Sequence, residues 1–465
     1  MLCLALGGGA AVAGYSLVDR GDKFPKQWEP RIEPLAREVE RLRGLKFKHA
    51  VTTTFYPDAE FTERVTNDDE PSEQDRADLD RFAGAFRAIG LAEGDVDLQR
   101  DSNTLRGSGV LAYYDTDEKR IHIRGTEMTL SVQVTLVHEL THALQDQHFD
   151  LAKLRALDAA NKTEASKSLI EGDATWVEDE YIERSLSKKQ RRDYEQESKK
   201  GGEEYDDEVV GKVPDILILD QQAAYQFGSA AIAMLRNEGG QRAVDAVFRK
   251  PPTADFVMMN PIWLIEDRTK LNAPELAKPD RAKNYELTGE FGAAWWFSML
   301  SERIDFHDAL EATDSWASDS SAIYELDDKV CVELGWDGTD RVATENMDQA
   351  LRQWREAMPD TRAVVVTRVD DDSIKVKACD PGRARSAVTH RSRDAFVLPL
   401  FRAGLAAALV DQGAPPHTAW CTADEALKPF SVAELNSNSE LFETDRYQRH
   451  LRDSAKLCKT RSVEA

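Results

Sequence analysis

The chain has 465 residues, 41% of them hydrophobic and 31% charged, which is long enough for two or three domains and too polar for a polytopic membrane protein. Its 84 acidic residues outnumber 60 basic ones, a formal net charge of −24. That balance excludes nucleic acid as a partner, since phosphates would be repelled, and otherwise reads as a solvated surface.

Met1 to Val18 is apolar apart from Tyr15 and Ser16 and ends at a charged stretch, Asp19 to Lys23. Residues 1–20 read as a signal peptide with Ala11-Val12-Ala13 as the cleavage site, or as a membrane anchor through residues 1–18. Both readings put the rest of the chain outside the cytoplasm, secreted or membrane-anchored. Gln27 to Arg43 reads as a charged helix, and Lys46 to Phe55 as a strand. An acidic linker, Asn67 to Pro71, leads to an amphipathic helix from about Ser72 to Ile89. Gly109 to Tyr114, the polar turn Asp115 to Glu118, and Arg120 to Ile123 form a hairpin by pattern.

Thr129 or Ser131 then caps a helix running to about Phe149, and a second helix spans about Thr163 to Ser185. The segment 188–208, dense in charge and broken by Gly201-Gly202, reads as an inserted surface excursion or flap. Helices resume over Ile216 to Glu238 and Gln241 to Phe248, and Tyr285 to Leu300 reads as an aromatic helix. The texture changes between about 305 and 320. Ala322 to Leu326, Ala363 to Thr367 and Ser373 to Ala378 read as strands, and Phe401 to Val410 as a helix. The expected architecture is α+β: a catalytic domain over 21–305 and a mixed α+β domain over 306–465. Cys331, Cys379, Cys421 and Cys458 all lie in that last third and predict two disulfides, with three possible connectivities. There is no internal repeat.

The chemistry concentrates in His138-Glu139-Leu140-Thr141-His142. Residues four apart share a helix face, so His138 and His142 can present imidazole nitrogen to one tetrahedral Zn2+ ion. Glu139 stands one step round, near the ion without binding it, where a general base belongs. Val134, Val137, Leu140, Ala143 and Leu144 surround the pair, so these are histidines of an apolar helix.

Two residues compete for the third ligand position. His148 lies six residues after His142, the metzincin spacing, but Gln145 stands where that pattern has the glycine that ends the helix. In an unbroken helix six residues rotate a side chain by roughly 600°, about 240° net, onto another face. Glu171 lies on the next helix, 29 positions after His142, followed by Gly172, which permits close helix approach. It is the preferred ligand, with His148 as the alternative. Asp146 and Asp173 are candidates to accept the distal N–H of the ligand histidines. Tyr225, ahead of Tyr181 and His148, is the candidate to stabilise an oxyanion.

The order strand, turn, strand, HExxH helix resembles that of zincin metallopeptidases, with Val110 to Tyr114 as the strand that pairs with an extended substrate. A glutamate ligand on the following helix resembles the gluzincins, although Thr175 takes the place of the aspartate that follows it by four positions in the thermolysin-like version. The stretch HELTHALQDQHFDL with the later LIEGDAT is similar to a set of bacterial HExxH proteins that carry a leader or anchor. Tyr225 to Gly228, Gly239-Gly240 and the Pro251-Pro252 loop share the likeness, which covers roughly 105 to 265. It implies a zincin-like catalytic domain in the cell envelope, one catalytic zinc ion and a peptide or protein substrate. The alternative is a catalytically silent extracytoplasmic binding protein on the same scaffold. No G-x-S-x-G elbow, P-loop or dinucleotide fingerprint is present after the leader.

Overall fold

The first helix starts where prolines and an apolar stripe coincide. In the computed structural model, which describes residues 24–66, 71–161, 163, 165–265, 274–314, 316–383, 391–437 and 441–464, α1 spans Glu33–Arg43. Pro34 sits in its first turn, where a missing N–H costs nothing, so the helix begins later than Gln27. Leu35, Ala36, Val39 and Leu42 form its buried stripe, and Gly44 ends it at a left-handed φ of 79°. The leader and the linker residues 67–70 lie outside the described residues. Among the described residues no helix is long and apolar enough to cross a membrane.

Three short strands follow: β1 (Thr52–Tyr56), β2 (Ala112–Asp115) and β3 (Arg120–Arg124), in the order β1-β3-β2. β1 runs parallel to β3, and β2 forms the antiparallel hairpin with it that the sequence predicts. Between β1 and β2 lie α2 (Asp58–Val65), α3 (Glu73–Ala88) and α4 (Leu98–Gly109). Ser72 and Asp75 close a reciprocal capping box on α3. The helix α5 (Leu130–Phe149) packs beneath the sheet, and α6 (Leu151–Asn161) and α7 (Ala165–Arg184) follow. α1, the three strands, α5 and the end of α7 enclose one small core that includes Ile121, Ile123, Val137, Leu140, Leu144 and Val177.

The charged segment after α7 is α8 (Lys188–Val209), one uninterrupted helix rather than a flap. Ser187 and Gln190 cap it reciprocally, and Lys189–Asp193, Lys199–Glu203 and Lys200–Glu204 pair at i,i+4. Each glycine of the Gly201-Gly202 pair costs a helix only about 1 kcal/mol, which these devices offset. α9 (Asp215–Gly239) and α10 (Gln241–Arg249) belong to a second, larger core.

That core also holds a five-stranded antiparallel sheet of β4 (Lys283–Gly289), β5 (Trp316–Leu326), β6 (Lys329–Gly338), β7 (Val364–Arg368) and β8 (Ser373–Cys379), in the order β4-β5-β6-β8-β7. The helix expected over Tyr285 to Leu300 is therefore split. Its first part is the edge strand β4, positive φ values at Gly289 and Gly292 turn the chain, and only Ala293–Ser301 is helical. Because β4 pairs with β5, the sheet draws strands from both sides of residue 305, and the larger core is continuous across that point. Cys331 and Cys379, directly opposed on β6 and β8, form one disulfide. Cys421–Cys458 forms the second, joining helix Pro416–Leu427 to helix Asp445–Glu464. The architecture is mixed α+β, as expected.

The tightest contact between elements is the crossing of α7 over α9. A β-carbon at Gly172 would lie 2.1 Å from the Gly228 carbonyl carbon, and one at Gly228 would lie 2.0 Å from the Ser168 carbonyl oxygen. The two backbones touch, and the residues beside the crossing, Ser168, Leu169, Ala224, Phe227 and Ala231, are buried. Gly228→Ala should destabilise the protein by about 3 kcal/mol in urea denaturation, the range for overpacking a rigid site. A loss below about 0.5 kcal/mol, the range of neutral surface changes, would mean that the crossing yields easily.

Candidate metal centre

Thr129 caps α5 by accepting from the Val132 N–H, and the helix runs unbroken through Gln145 to Phe149. That continuity decides the fate of His148. Its ring is carried to the surface, where Nε2–H donates to the Lys46 carbonyl at 2.8 Å. The metzincin-like alternative is not what the geometry assembles.

His138 and His142 are both buried and turn their Nε2 atoms towards Glu171 on α7. Oε2 of Glu171 lies 3.2 Å from Nε2 of His138 and 3.2 Å from Nε2 of His142. The opposite nitrogen of each ring faces a group that only accepts. Nδ1 of His138 lies 3.0 Å from Oε2 of Glu178. Nδ1 of His142 lies 3.0 Å from Oε1 of Gln145. The Gln145 amide is not free to flip, because its NH2 donates to the Ile170 carbonyl at 3.0 Å and to Oδ2 of Asp173 at 2.9 Å. Both rings therefore carry hydrogen on Nδ1, and when neutral each has its lone pair on Nε2. Both Nε2 atoms and one carboxylate oxygen are thus directed at one point, where protonated rings donate to Glu171 and neutral rings could share a cation with it. A donor set of two imidazoles and one carboxylate fits zinc with one position left open.

The partners of the rings differ from the expected pair. Asp146 touches neither histidine: its Oδ2 accepts from the Tyr114 hydroxyl and from Lys119 Nζ, each at 2.7 Å, and its Oδ1 from the Leu151 N–H. Asp173 acts one step further out, through Gln145. It also receives Nε of Arg43 at 2.5 Å, and Arg43 Nη1 reaches Asp245 at 2.9 Å. The groups that hold the rings are Gln145 and Glu178. A signal for both was present in the spacing: Gln145 is one turn after His142, and Glu178 is two turns after Glu171 on the same face.

The electrostatics follow from this crowding. Burial alone would lower the His138 pKa, but hydrogen bonds to Glu171 and Glu178 raise it well above the usual value. For His142 the charge of Glu171 likewise overrides burial. Burial opposes ionisation of Glu171 too, yet His142 and His138 hold it far below the ordinary carboxylate range. Glu139 lies within 4.8 Å of the ligand atoms of both histidines, but its Oε2 is engaged by the Tyr114 N–H at 2.7 Å. Burial raises its pKa against the pull of His142 and His138. It is thus a desolvated carboxylate beside the centre, while Glu171 is the one equidistant from both rings. Tyr225, on α9 and 37% exposed, stacks on the His138 ring with centroids 5.8 Å apart. The negative charge of Glu171, followed by burial, raises its pKa, which keeps the hydroxyl protonated. Tyr181, by contrast, belongs to the small core.

No known protein family, curated protein or solved structure matches this chain. The chemistry must be argued from these side chains.

If Gln145 and Glu178 orient the rings, Gln145→Leu and Glu178→Ala should each weaken zinc binding by roughly 10–100-fold in a chelator competition. His148→Ala should leave it unchanged. Equal weakening in all three variants would contradict the assignment.

Proposed function

We propose that this protein is a gluzincin-type, zinc-dependent peptidase with a zincin-like catalytic region, held in the cell envelope or secreted. The observation that carries the reading is the convergence of His138 Nε2, His142 Nε2 and Glu171 Oε2, with each ring locked by an acceptor behind it. His138, His142 and Glu171 would hold the ion. Zinc so bound polarises a scissile carbonyl and lowers the pKa of a water in the open position towards about 7.

The remaining work falls to the chain. Glu139 takes the proton of the attacking water and passes it to the leaving amine, which completes the exchange of a peptide bond for a carboxylate and an amine. Its burial supports this role, because a raised pKa favours proton return in the second step. The Tyr225 hydroxyl donates to the oxyanion as the carbonyl becomes tetrahedral. β2 supplies the register for the substrate. It is the edge strand of its sheet, and its Tyr114 N–H meets Glu139, so an extended peptide added along β2 lies beside the base.

All the residues with a chemical role precede residue 305. The later helix Val397–Asp411 packs on α9, which carries Tyr225, so the C-terminal region buttresses the site from behind. Two disulfides support an oxidising, extracytoplasmic setting.

Glu139→Gln should abolish cleavage of an unstructured protein such as casein, by at least about 100-fold for loss of a general base, while zinc remains bound. Glu171→Ala should lose both zinc and activity. Undiminished cleavage by Glu139→Gln would remove the mechanism, and full zinc retention in Glu171→Ala would remove the ligand assignment.

A further inference from the structure

A second group of metal-ligating side chains lies on the hairpin that carries the edge strand. Ile121 and Ile123 of β3 point into the small core against α5. Alternation therefore turns His122 to the other face of the sheet, away from the centre described above. There its ring stacks on Tyr113, its cross-strand neighbour, with centroids 4.7 Å apart, and on Tyr56 at 5.5 Å. Only 1% of the side chain is exposed. Nδ1 lies 3.1 Å from the Tyr56 hydroxyl, whereas Nε2 is buried and has no hydrogen-bond partner. This nitrogen is one of several buried polar atoms without a hydrogen-bond partner, and it is the one that faces a pair of carboxylates.

Two carboxylates face that nitrogen. Glu118 Oε2 stands 3.5 Å from it, too far for a hydrogen bond. Asp115, Glu118 and His122 each offer a ligand atom, all within 4.8 Å of one another. Asp115 is fixed in the turn because its Oδ1 accepts the N–H groups of Asp117 and Glu118, at 2.7 and 2.8 Å. Arg120 approaches Glu118 Oε2 only to 3.5 Å, and Arg64 is spent on the Tyr56 ring, its guanidinium 4.4 Å above the centroid.

We propose that Asp115, Glu118 and His122 form a second divalent-cation site, structural in role, that staples the β2–β3 hairpin. One imidazole and two carboxylates match zinc, cobalt or manganese, and the nitrogen donor argues against calcium or magnesium. The Tyr56 hydroxyl can accept from Nδ1–H, the tautomer that leaves the lone pair on Nε2, facing the carboxylates. The consequence reaches the catalytic face through the same turn. Lys119, held at a left-handed φ of 55° between Glu118 and Arg120, pairs with Asp146 on α5. Tyr114, next to Asp115, offers its N–H to Glu139. A cation on one face thus fixes the strand that presents backbone groups on the other.

The test is a metal count. Chelator-stripped full-length protein is titrated with Co2+, followed by its visible absorption and by calorimetry, alongside two double variants. Asp115→Asn/Glu118→Gln alters partly or fully exposed side chains, so its fold, checked by circular dichroism, should persist. His138→Ala/His142→Ala removes the other centre. The expected result is two ions in the unaltered protein and one in each double variant. An Asp115→Asn/Glu118→Gln protein that binds as many ions as the unaltered one would overturn the hairpin site. Failure of the catalytic centre reads differently: the His138→Ala/His142→Ala protein would then keep the full count while the hairpin variant still loses one.

Discussion

The contact between the backbones of α7 and α9 at Gly172 and Gly228 sets everything else at the site. Glu171 is the residue immediately before one glycine, and Tyr225 lies one helical turn before the other. A β-carbon on either would have to move off the facing backbone by more than an ångström, which would draw Glu171 away from its 3.2 Å contacts. The crossing therefore fixes two things together: the distance of Glu171 from both Nε2 atoms, and the stacking of Tyr225 on His138. The second brace is the α5 helix itself, whose unbroken run keeps His138 and His142 on one face and sends His148 elsewhere.

Behind the rings runs a buried polar chain. Arg43, with no exposed surface, reaches Asp173 and Asp245, Asp173 receives Gln145, and Gln145 receives the Nδ1–H of His142. Burying such charges is expensive unless each is paired, and Arg43 of α1 is paired with Asp173 of α7 and Asp245 of α10, although its Nη2 and Oδ1 of Asp173 have no hydrogen-bond partner. The effect of this polar chain is to turn an amide, which could face either way, into a committed acceptor. The centre's donor geometry is thus decided by residues that never touch it. Glu178 does the same for His138 more directly, with a charged acceptor.

Much of this was legible in the sequence because it depends on period. The capped apolar run that marks α5, the pairing of His138 with His142, the hairpin before them, and a glutamate followed by glycine on the next helix are all one-dimensional signals. Gln145 was read only for what it lacks, the glycine of another pattern, although the same residue supplies the acceptor that orients His142. Charge and proximity in sequence point to Asp146 and Asp173 as ring partners, and neither touches a ring nitrogen. Which carboxylate meets a ring nitrogen depends on rotamers and on the angle at which α7 crosses α5, and neither is written in spacing. The segment 188–208 misled because glycines and charge were weighed as loop signals, while capping and i,i+4 pairing sustain a helix. Lys283–Gly289 carries a single aromatic residue, Tyr285, and no strong period of its own, so pairing with β5, remote in sequence, decides for strand.

The central claim is that His138, His142 and Glu171 share one ion. Crystals grown with zinc and measured at its absorption edge test it directly. An anomalous peak is expected on the α5 face of the small sheet, about 2.0–2.1 Å from each Nε2 and about 2.0–2.2 Å from a Glu171 oxygen. A peak bonded to His148 or to Glu139 in place of Glu171, or no peak between the two histidines, would contradict it.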